Sequence, residues 1–343
     1  MVVIIVPSLQ SGGTEWQVYH LSRSLASRQE LHVWVYDRVH IDARLHQAFR
    51  ELPGVTLSFG VRVGLRYLLR QRPRLILSYA INYYLPEIAL RLLTGAVLVT
   101  ERRNLYHWLK TQARRRCQEA WRNRLTRAVV CNSQAVADAV RRTEPEVADR
   151  LHVLYNAVEP FVPAAAPQRH TVVAVGNIKP GKGVERVLRI FQALHYEAEA
   201  RGLHFAVYGR CDDASLLADL DQAFVQRVYR GQMAKEQIFA DAFCLVHLSE
   251  AEGFPNAVLE ATACGVVPIL SDIAPHRELF ADCGVLVGDD ATALHALRQA
   301  LDWPGSGHDE YVRLSDRCRA TAAQFSAGRR AQRYLELFDA CLH

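Results

Sequence analysis

Two glutamates, Glu252 and Glu260, stand eight residues apart in the stretch SEAEGFPNAVLEATACG, residues 249–265. Between them Gly253, Phe254 and Pro255 make a turn, and an apolar pattern of helical period follows. Gly253 tolerates backbone angles closed to other residues, and Pro255 suits the first helical position, where its missing N–H breaks no intrahelical bond. The unpaired amides and the positive dipole end of a helix attract an anion. Asn256 and Glu260, at i and i+4, share one helical face and can address a single polar ligand. An anion site flanked by carboxylates suits a sugar diphosphate. The competing reading makes Glu252 a first-turn acid that complements the dipole and Glu260 a surface residue.

A second signal lies upstream, in VVAVGNIKPGKGVERVLRIFQAL. An apolar run at 172–175 ends in Gly176, and apolar residues resume at helical spacing with Val184, Val187, Leu188 and Phe191. The order is strand, glycine loop, helix. Lys179, Gly181, Lys182 and Gly183 bring cations and exposed amides to the carboxyl end of a strand, where open α/β sheets bind ligands. The loop matches neither GxxxxGK[ST] nor GxGxxG, which argues against a P-loop and against a dinucleotide cofactor. A lysine in a glycine loop is often only a solvated charge. Together with the glutamate motif it reads as part of a site.

These loops need a scaffold. Short apolar runs at 2–6, 31–36, 75–77, 96–99 and 128–131, and later at 205–208, 244–248, 266–270 and 285–287, alternate with helical patterns. That alternation predicts an α/β protein with parallel sheets covered by helices on both faces. A length of 343 residues exceeds one comfortable core and predicts two domains. The proline-rich stretch at 160–169 reads as their linker. The last helix repeats apolar residues at Ala331, Tyr334, Leu335, Phe338 and Cys341.

Eight cysteines without a CxxC pair, and no secretory signal, predict reduced thiols and a cytosolic setting. No apolar stretch reaches the roughly 20 residues of a membrane span, so membrane attachment would be peripheral. No HxxxH cluster or paired aspartates suggest a metal, and none is expected. His247 reads as an ordinary core or surface histidine, and His276, beside Arg277 and Glu278, as a weaker site candidate. Charge is uneven: residues 1–156 hold 23 basic against 12 acidic side chains, and the remainder 18 against 24. The excess is densest at 102–127, where Leu105, Trp108, Leu109 and Trp121 mix with Lys110, Arg114, Arg115, Arg116, Arg122, Arg124 and Arg127. Such a surface suits anionic lipid headgroups or a phosphate-bearing acceptor; no nucleic-acid motif accompanies it.

With these residues in hand, the chain resembles the retaining glycosyltransferases of family 4, the group 1 proteins with a GT-B fold. The resemblance covers nearly the whole chain: VVIIVPS and SGGTEWQVYHLSRSL, AVVCNSQAVADAV, LHVLYNAVEP, the GKG loop, and EGFPNAVLEATACGVVPILSDIAPHREL. It implies two Rossmann-like parallel-sheet domains facing each other across a cleft. Residues 1–160 would bind the acceptor, residues 161–326 the nucleotide-sugar donor, and residues 327–343 would form a C-terminal helix crossing back to the first domain.

The resemblance further implies roles. Glu252 and Lys182 would be catalytic, Glu252 contacting donor sugar hydroxyls, Lys182 the diphosphate and Glu260 the ribose. Gly253, Phe254, Pro255 and Asn256 would offer amides to phosphate or sugar, and Gly12 and Gly13 would close over the donor. Asn177, Gly209 and Arg210 complete the donor set, Asn177 standing where the family usually has an arginine. Arg102 and Arg103 replace a histidine that usually follows the matching strand, and become sugar or phosphate contacts. The implied function is metal-independent, cofactor-free hexosyl transfer with retention, in polysaccharide biosynthesis, to a glycan, lipid-linked or other acceptor. The setting would be cytoplasmic, with a peripheral place on the inner face of the membrane through residues 102–127. A nucleotide-sugar epimerase and a non-catalytic sugar-nucleotide-binding subunit are the rival readings.

Overall fold

The structure is a computed structural model that describes residues 1–10, 12–80, 84–104, 113–159 and 169–343; the side chains of 113–116 fall outside the described set. Residues 160–168 of the linker expected at 160–169, and Leu105, Trp108, Leu109 and Lys110 of the basic segment, also lie outside the described residues. The chain divides into two compact units, one of Met1–Ala157 with Ala327–His343, the other of Val158–Ser326.

In unit 1 the strands are β1 (Val2–Val6), β2 (Leu31–Val35), β3 (Val55–Phe59), β4 (Leu75–Ser78), β5 (Val97–Arg102), β6 (Thr126–Cys131) and β7 (Leu151–Val153). They form one parallel sheet in the order β3-β2-β1-β4-β5-β6-β7. The central strands are continuous apolar runs because helices cover both faces. Alternate residues of β1 go opposite ways. Val2, Ile4 and Val6 join a core with Val18, Leu21 and Leu25 of α1 (Gly13–Ala26) and with Ala331, Tyr334, Leu337 and Phe338 of the C-terminal helix. Val3 and Ile5 pack on the other side with Leu68 of α3 (Val61–Gln71) and Leu90 of α4 (Tyr84–Thr94). Between these, α2 (Ala43–Arg50) links β2 to β3, α5 (Ala113–Leu125) links β5 to β6, and α6 (Gln134–Thr143) links β6 to β7.

In unit 2 the strands β8 (Thr171–Val175), β9 (His204–Tyr208), β10 (Tyr229–Gly231), β11 (Ala242–His247), β12 (Val267–Ser271) and β13 (Val285–Val287) form a parallel sheet in the order β10-β9-β8-β11-β12-β13. Its helices are α7 (Val184–Glu199), α8 (Gln222–Val228), α9 (Lys235–Ile238), α10 (Asn256–Ala263), α11 (Ala274–Phe280), α12 (Asp290–Ala300) and α13 (His308–Ala322). Val184, Val187, Leu188 and Phe191 of α7 are all buried, as their spacing predicts. The strand order reverses between β8 and β11, and the carboxyl ends at such a reversal are where open sheets of this kind take ligands. The last helix, α14 (Ala327–Leu342), belongs to unit 1, where Arg330 donates to the main-chain and side-chain oxygens of Gln17.

Candidate functional site

The two loops singled out by their chemistry leave those adjacent strands. Beyond β8 runs the loop from Gly176 to Gly183, and beyond β11 the segment from Leu248 to Pro255. Gly183 caps α7 with φ of 65°, and a Cβ there would lie 2.2 Å from the carbonyl oxygen of Leu248. Only glycine permits both the left-handed backbone and that approach. The Glu250 amide donates to the Gly181 carbonyl at 3.0 Å, a second stitch between the loops.

This stitching brings Lys182 to Glu252. Three donors converge on the single oxygen Oε1 of Glu252: Lys182 Nζ at 2.6 Å, Ser249 Oγ at 2.7 Å and His247 Nε2 at 3.0 Å. A carboxylate only accepts, so His247 carries its proton on Nε2. Burial alone would raise the Glu252 carboxyl, but the hydrogen bond and charge of His247, with Lys182, hold it well below the ordinary carboxylate range. His276 lies edge-on to His247, ring centroids 5.5 Å apart. Its Nδ1 donates to the Ser271 carbonyl at 2.7 Å, and burial, with the neighbouring His247 charge, lowers its pKa to about 4. His276 is therefore neutral at physiological pH.

Pro255 occupies the cap position, one residue earlier than its spacing suggests, and α10 begins at Asn256. The Asn256 amide is not vacant: it donates to the Phe254 carbonyl at 3.0 Å. Asn256 and Glu260 both lie on α10, and Glu260 accepts from Lys235 at 3.4 Å. Asn177 donates to Asp212 at 3.2 Å, and Asp212 also takes the guanidinium of Arg210. Gly209 has φ of 147° and no room for a Cβ, which would stand 2.0 Å from the Gly176 carbonyl. Asn177, Gly209 and Arg210 thus form one cluster at the ends of β8 and β9.

The remaining expected contacts belong to unit 1. Gly12 caps α1 and Gly13 is its first residue. Arg102 is buried and bonded to Glu144 and Asn123 at 2.8 Å each. Arg103 is buried against Glu101 and Asn156. The basic surface expected at 102–127 needs a correction. Arg122, counted in it, is 1% exposed and ion-paired with Glu87, because the inward side of α5 meets the buried end of α4. Of that segment's described aromatic and basic side chains, Trp121, Arg124 and Arg127 are exposed.

Residues 11–160 match the family described as Glycosyltransferase Family 4, and residues 169–302 the family described as Glycosyl transferases group 1. The chain belongs to the group 1, family 4 glycosyltransferases. This glycosyltransferase is similar to the GDP-mannose:cellobiosyl-diphosphopolyprenol alpha-mannosyltransferase of Komagataeibacter xylinus, 28% identical over 255 residues, 68% of this chain and 63% of that protein. The matched part thus spans under two thirds of that relative's length. The protein of the same description from Xanthomonas campestris is 27% identical over 315 residues, 81% of this chain and 80% of its own length. Among solved structures, Anabaena HepE in complex with UDP and glucose superposes with a TM-score of 0.82 at 16% identity, covering 98% of this chain and 99% of its own. A glycosyltransferase from Rickettsia africae gives 0.78 at 13% identity, covering 99% and 98%. At such identities the likeness shows the GT-B fold.

In this glycosyltransferase the sequence reading missed three polar partners. His247 and Ser249 hold the carboxylate of Glu252, and Lys235 meets Glu260. His247 ends β11, whose run of apolar residues made the histidine look like core; its place five residues before Glu252 was the available signal.

Proposed function

We propose that this protein transfers a hexosyl unit from a nucleotide diphosphate sugar to a glycan or lipid-linked acceptor, with retention of anomeric configuration and without a metal or other cofactor. The observation that carries this reading is the contact of Lys182 with Glu252, where a cation and an oriented carboxylate meet at the reversal of the strand order. Lys182 has three N–H donors, and Glu252 takes one. The others are available to a diphosphate, while Glu252, its Oε1 held by three donors, presents the rest of its carboxylate to sugar hydroxyls.

In the proposed reaction the bond from C1 of the sugar to the diphosphate oxygen breaks, and a bond from C1 to the acceptor oxygen forms on the same face. The departing diphosphate oxygen takes the acceptor proton, so no protein base is required. Unit 2 binds the donor and contributes positioning and charge stabilisation through Lys182. Unit 1 takes the acceptor. The mannosyltransferase relatives, described with a GDP-mannose donor and a diphosphopolyprenol acceptor, support a sugar-diphosphate donor and a lipid-linked acceptor. The fold neighbours in complex with UDP and glucose or UDP-glucose support the same donor class.

The test is incubation with GDP-mannose, UDP-glucose and other nucleotide sugars, read for nucleotide diphosphate release with and without polyprenyl-diphosphate-linked glycans. Acceptor-dependent release with an axial product linkage from an axial donor supports the proposal. Sugar interconversion without an acceptor would make it an epimerase, and binding without turnover a non-catalytic subunit.

A further inference from the structure

Arg102 ends β5 and Arg103 follows it, yet the two guanidinium groups are spent differently. Every nitrogen of Arg102 donates within the protein: Nε to Glu144, Nη2 to Glu144 and Asn123, and Nη1 to Thr100 and the Glu101 carbonyl. It is a structural cation. Arg103 donates through Nη1 to Glu101 at 3.3 Å and through Nη2 to Asn156 at 2.9 Å, while its buried Nε has no partner among the described residues. A buried N–H without an acceptor is costly and calls for a reason.

The support of Arg103 runs on to the last helix. Glu101 takes Arg103 on Oε2 and the Tyr334 hydroxyl of α14 on Oε1, so one carboxylate joins β5 to α14. Tyr334 is wholly buried. Burial, then the Glu101 charge, push its hydroxyl well above the ordinary tyrosine range, so it stays protonated and donates. Arg330, one turn earlier on α14, lies over the Tyr334 ring at 5.4 Å and anchors the helix to Gln17 of α1. The ring of Tyr79, just past β4, lies against the Arg103 guanidinium at 5.4 Å. Held by Glu101, Asn156 and that ring, Arg103 has little rotamer freedom.

We propose that Tyr334 and Glu101 are positioning residues for sugar transfer: they hold Arg103 so that it meets a sugar hydroxyl, and the last helix thereby takes part in the reaction. The chemistry follows from charge. Glu101 already pairs with Arg103 at 3.3 Å, so the two together suit a neutral hydroxyl better than a phosphate. Hydroxyls of the transferred hexosyl unit and of a glycan acceptor share that chemistry. The proposal rests on the transfer reading above, and it narrows the two adjacent arginines to Arg103.

The test is a double-mutant cycle on the full chain, with Tyr334→Phe and Arg103→Met made singly and together and read as kcat/KM for transfer. Arg103→Met should lower it about 100-fold and Tyr334→Phe about tenfold, the range for hydrogen bonds to charged groups. The double variant should fall no further than Arg103→Met alone. Glu101→Gln should match Tyr334→Phe and likewise add nothing to Arg103→Met. Leu337→Ala, which loosens the same helix in the core, should lower stability in denaturant titration and leave transfer near wild type. Acceptor-free hydrolysis of the donor tells the two hydroxyl sources apart. It should fall with transfer if Arg103 meets the transferred sugar, and hold, with a raised acceptor KM, if Arg103 meets the acceptor glycan. Nucleotide diphosphate alone should bind every variant as it binds wild type; weaker binding would put a phosphate on Arg103 and overturn the hydroxyl assignment. Losses that multiply in the double variant, or wild-type transfer by Arg103→Met, overturn the proposal and leave the transfer reading intact. A wild type that transfers no sugar removes both.

Discussion

Lys182 Nζ lies 2.6 Å from Glu252 Oε1, though 70 residues separate them in the chain. The contact joins the two loops at the point where the sheet order reverses, so each residue is placed by the strand behind it and by the glycine stitching between the loops. Lys182→Ala should leave the fold intact, since the side chain is 25% exposed and the rest of its loop is held by main-chain bonds. Sugar transfer should fall by about two to three orders of magnitude, as for loss of one contact to charge that grows in the transition state. Steady-state kinetics checks this; near-wild-type turnover would move the diphosphate elsewhere.

Gly183 makes that geometry possible. Gly183→Ala should cost about 1 to 3 kcal/mol of unit 2 stability, because alanine must adopt a left-handed backbone against the Leu248 carbonyl. The displaced loop should take Lys182 with it, so donor affinity should drop as well. Denaturant titration and calorimetry together measure both effects. Unchanged donor affinity would show that Lys182 is positioned independently of its loop.

How far the sequence anticipated this is clearest from particular elements. The runs at 2–6, 75–77, 172–175 and 244–248 became β1, β4, β8 and β11, because interior parallel strands are buried on both faces and read as unbroken apolar stretches. β3 (VTLSF), β7 (LHV) and β10 (YRG) escaped notice: all three are edge strands that carry an exposed polar residue. Lys182 and Glu252 were each legible from a glycine loop and a turn. Their hydrogen bond was not, because periodicity carries no information on which loops a sheet places side by side. Arg122 misled for the same reason, since charge density along a chain does not reveal a buried carboxylate such as Glu87.

The two glutamates should differ in kind. Glu260→Gln removes a carboxylate proposed for a ribose hydroxyl, and should weaken free nucleotide diphosphate and complete donor alike, by about 1.5 to 3 kcal/mol. Glu252→Gln should instead depress turnover, with nucleotide diphosphate affinity nearly unchanged. Titration with the sugarless nucleotide decides: equal losses for both variants would remove Glu252 from the sugar.

Acid should destabilise each unit through one buried histidine. Burial lowers His32 in unit 1 to about 4 and, with the His247 charge, His276 in unit 2 to about 4. In the unfolded chain both titrate near 6.5, so between pH 6.5 and 4 the unfolded state binds more protons and stability rises with pH. From pH 7.5 to pH 5 each unit should lose roughly 2 kcal/mol. Glu252 works in a different window, since its stabilisation is present above the ordinary carboxylate range and is lost only as pH falls below it. Hydrogen exchange reads the units separately. His276→Gln should flatten the response of unit 2 alone; an undiminished response there would assign the proton uptake to another group.

His247 is the positioning residue for Glu252. Its Nε2 proton fixes Oε1 at 3.0 Å and is the foremost influence lowering the carboxyl against burial. His247→Phe keeps a planar ring on β11 but removes the donor, leaving Lys182 and Ser249 to hold the carboxylate. Turnover should fall about 10- to 100-fold, the range expected for losing a hydrogen bond to a charged group. Nucleotide diphosphate affinity should hold, because His247 has no proposed contact with that ligand. The Glu252 carboxyl, released from its strongest lowering partner, should titrate at higher pH, so the acid limb of kcat/KM should move upward. His247→Gln, whose amide can still donate, should recover part of both effects. A purely structural histidine would change stability without moving the acid limb. An unshifted limb in His247→Phe would therefore assign Glu252 its orientation from Lys182 and Ser249 alone.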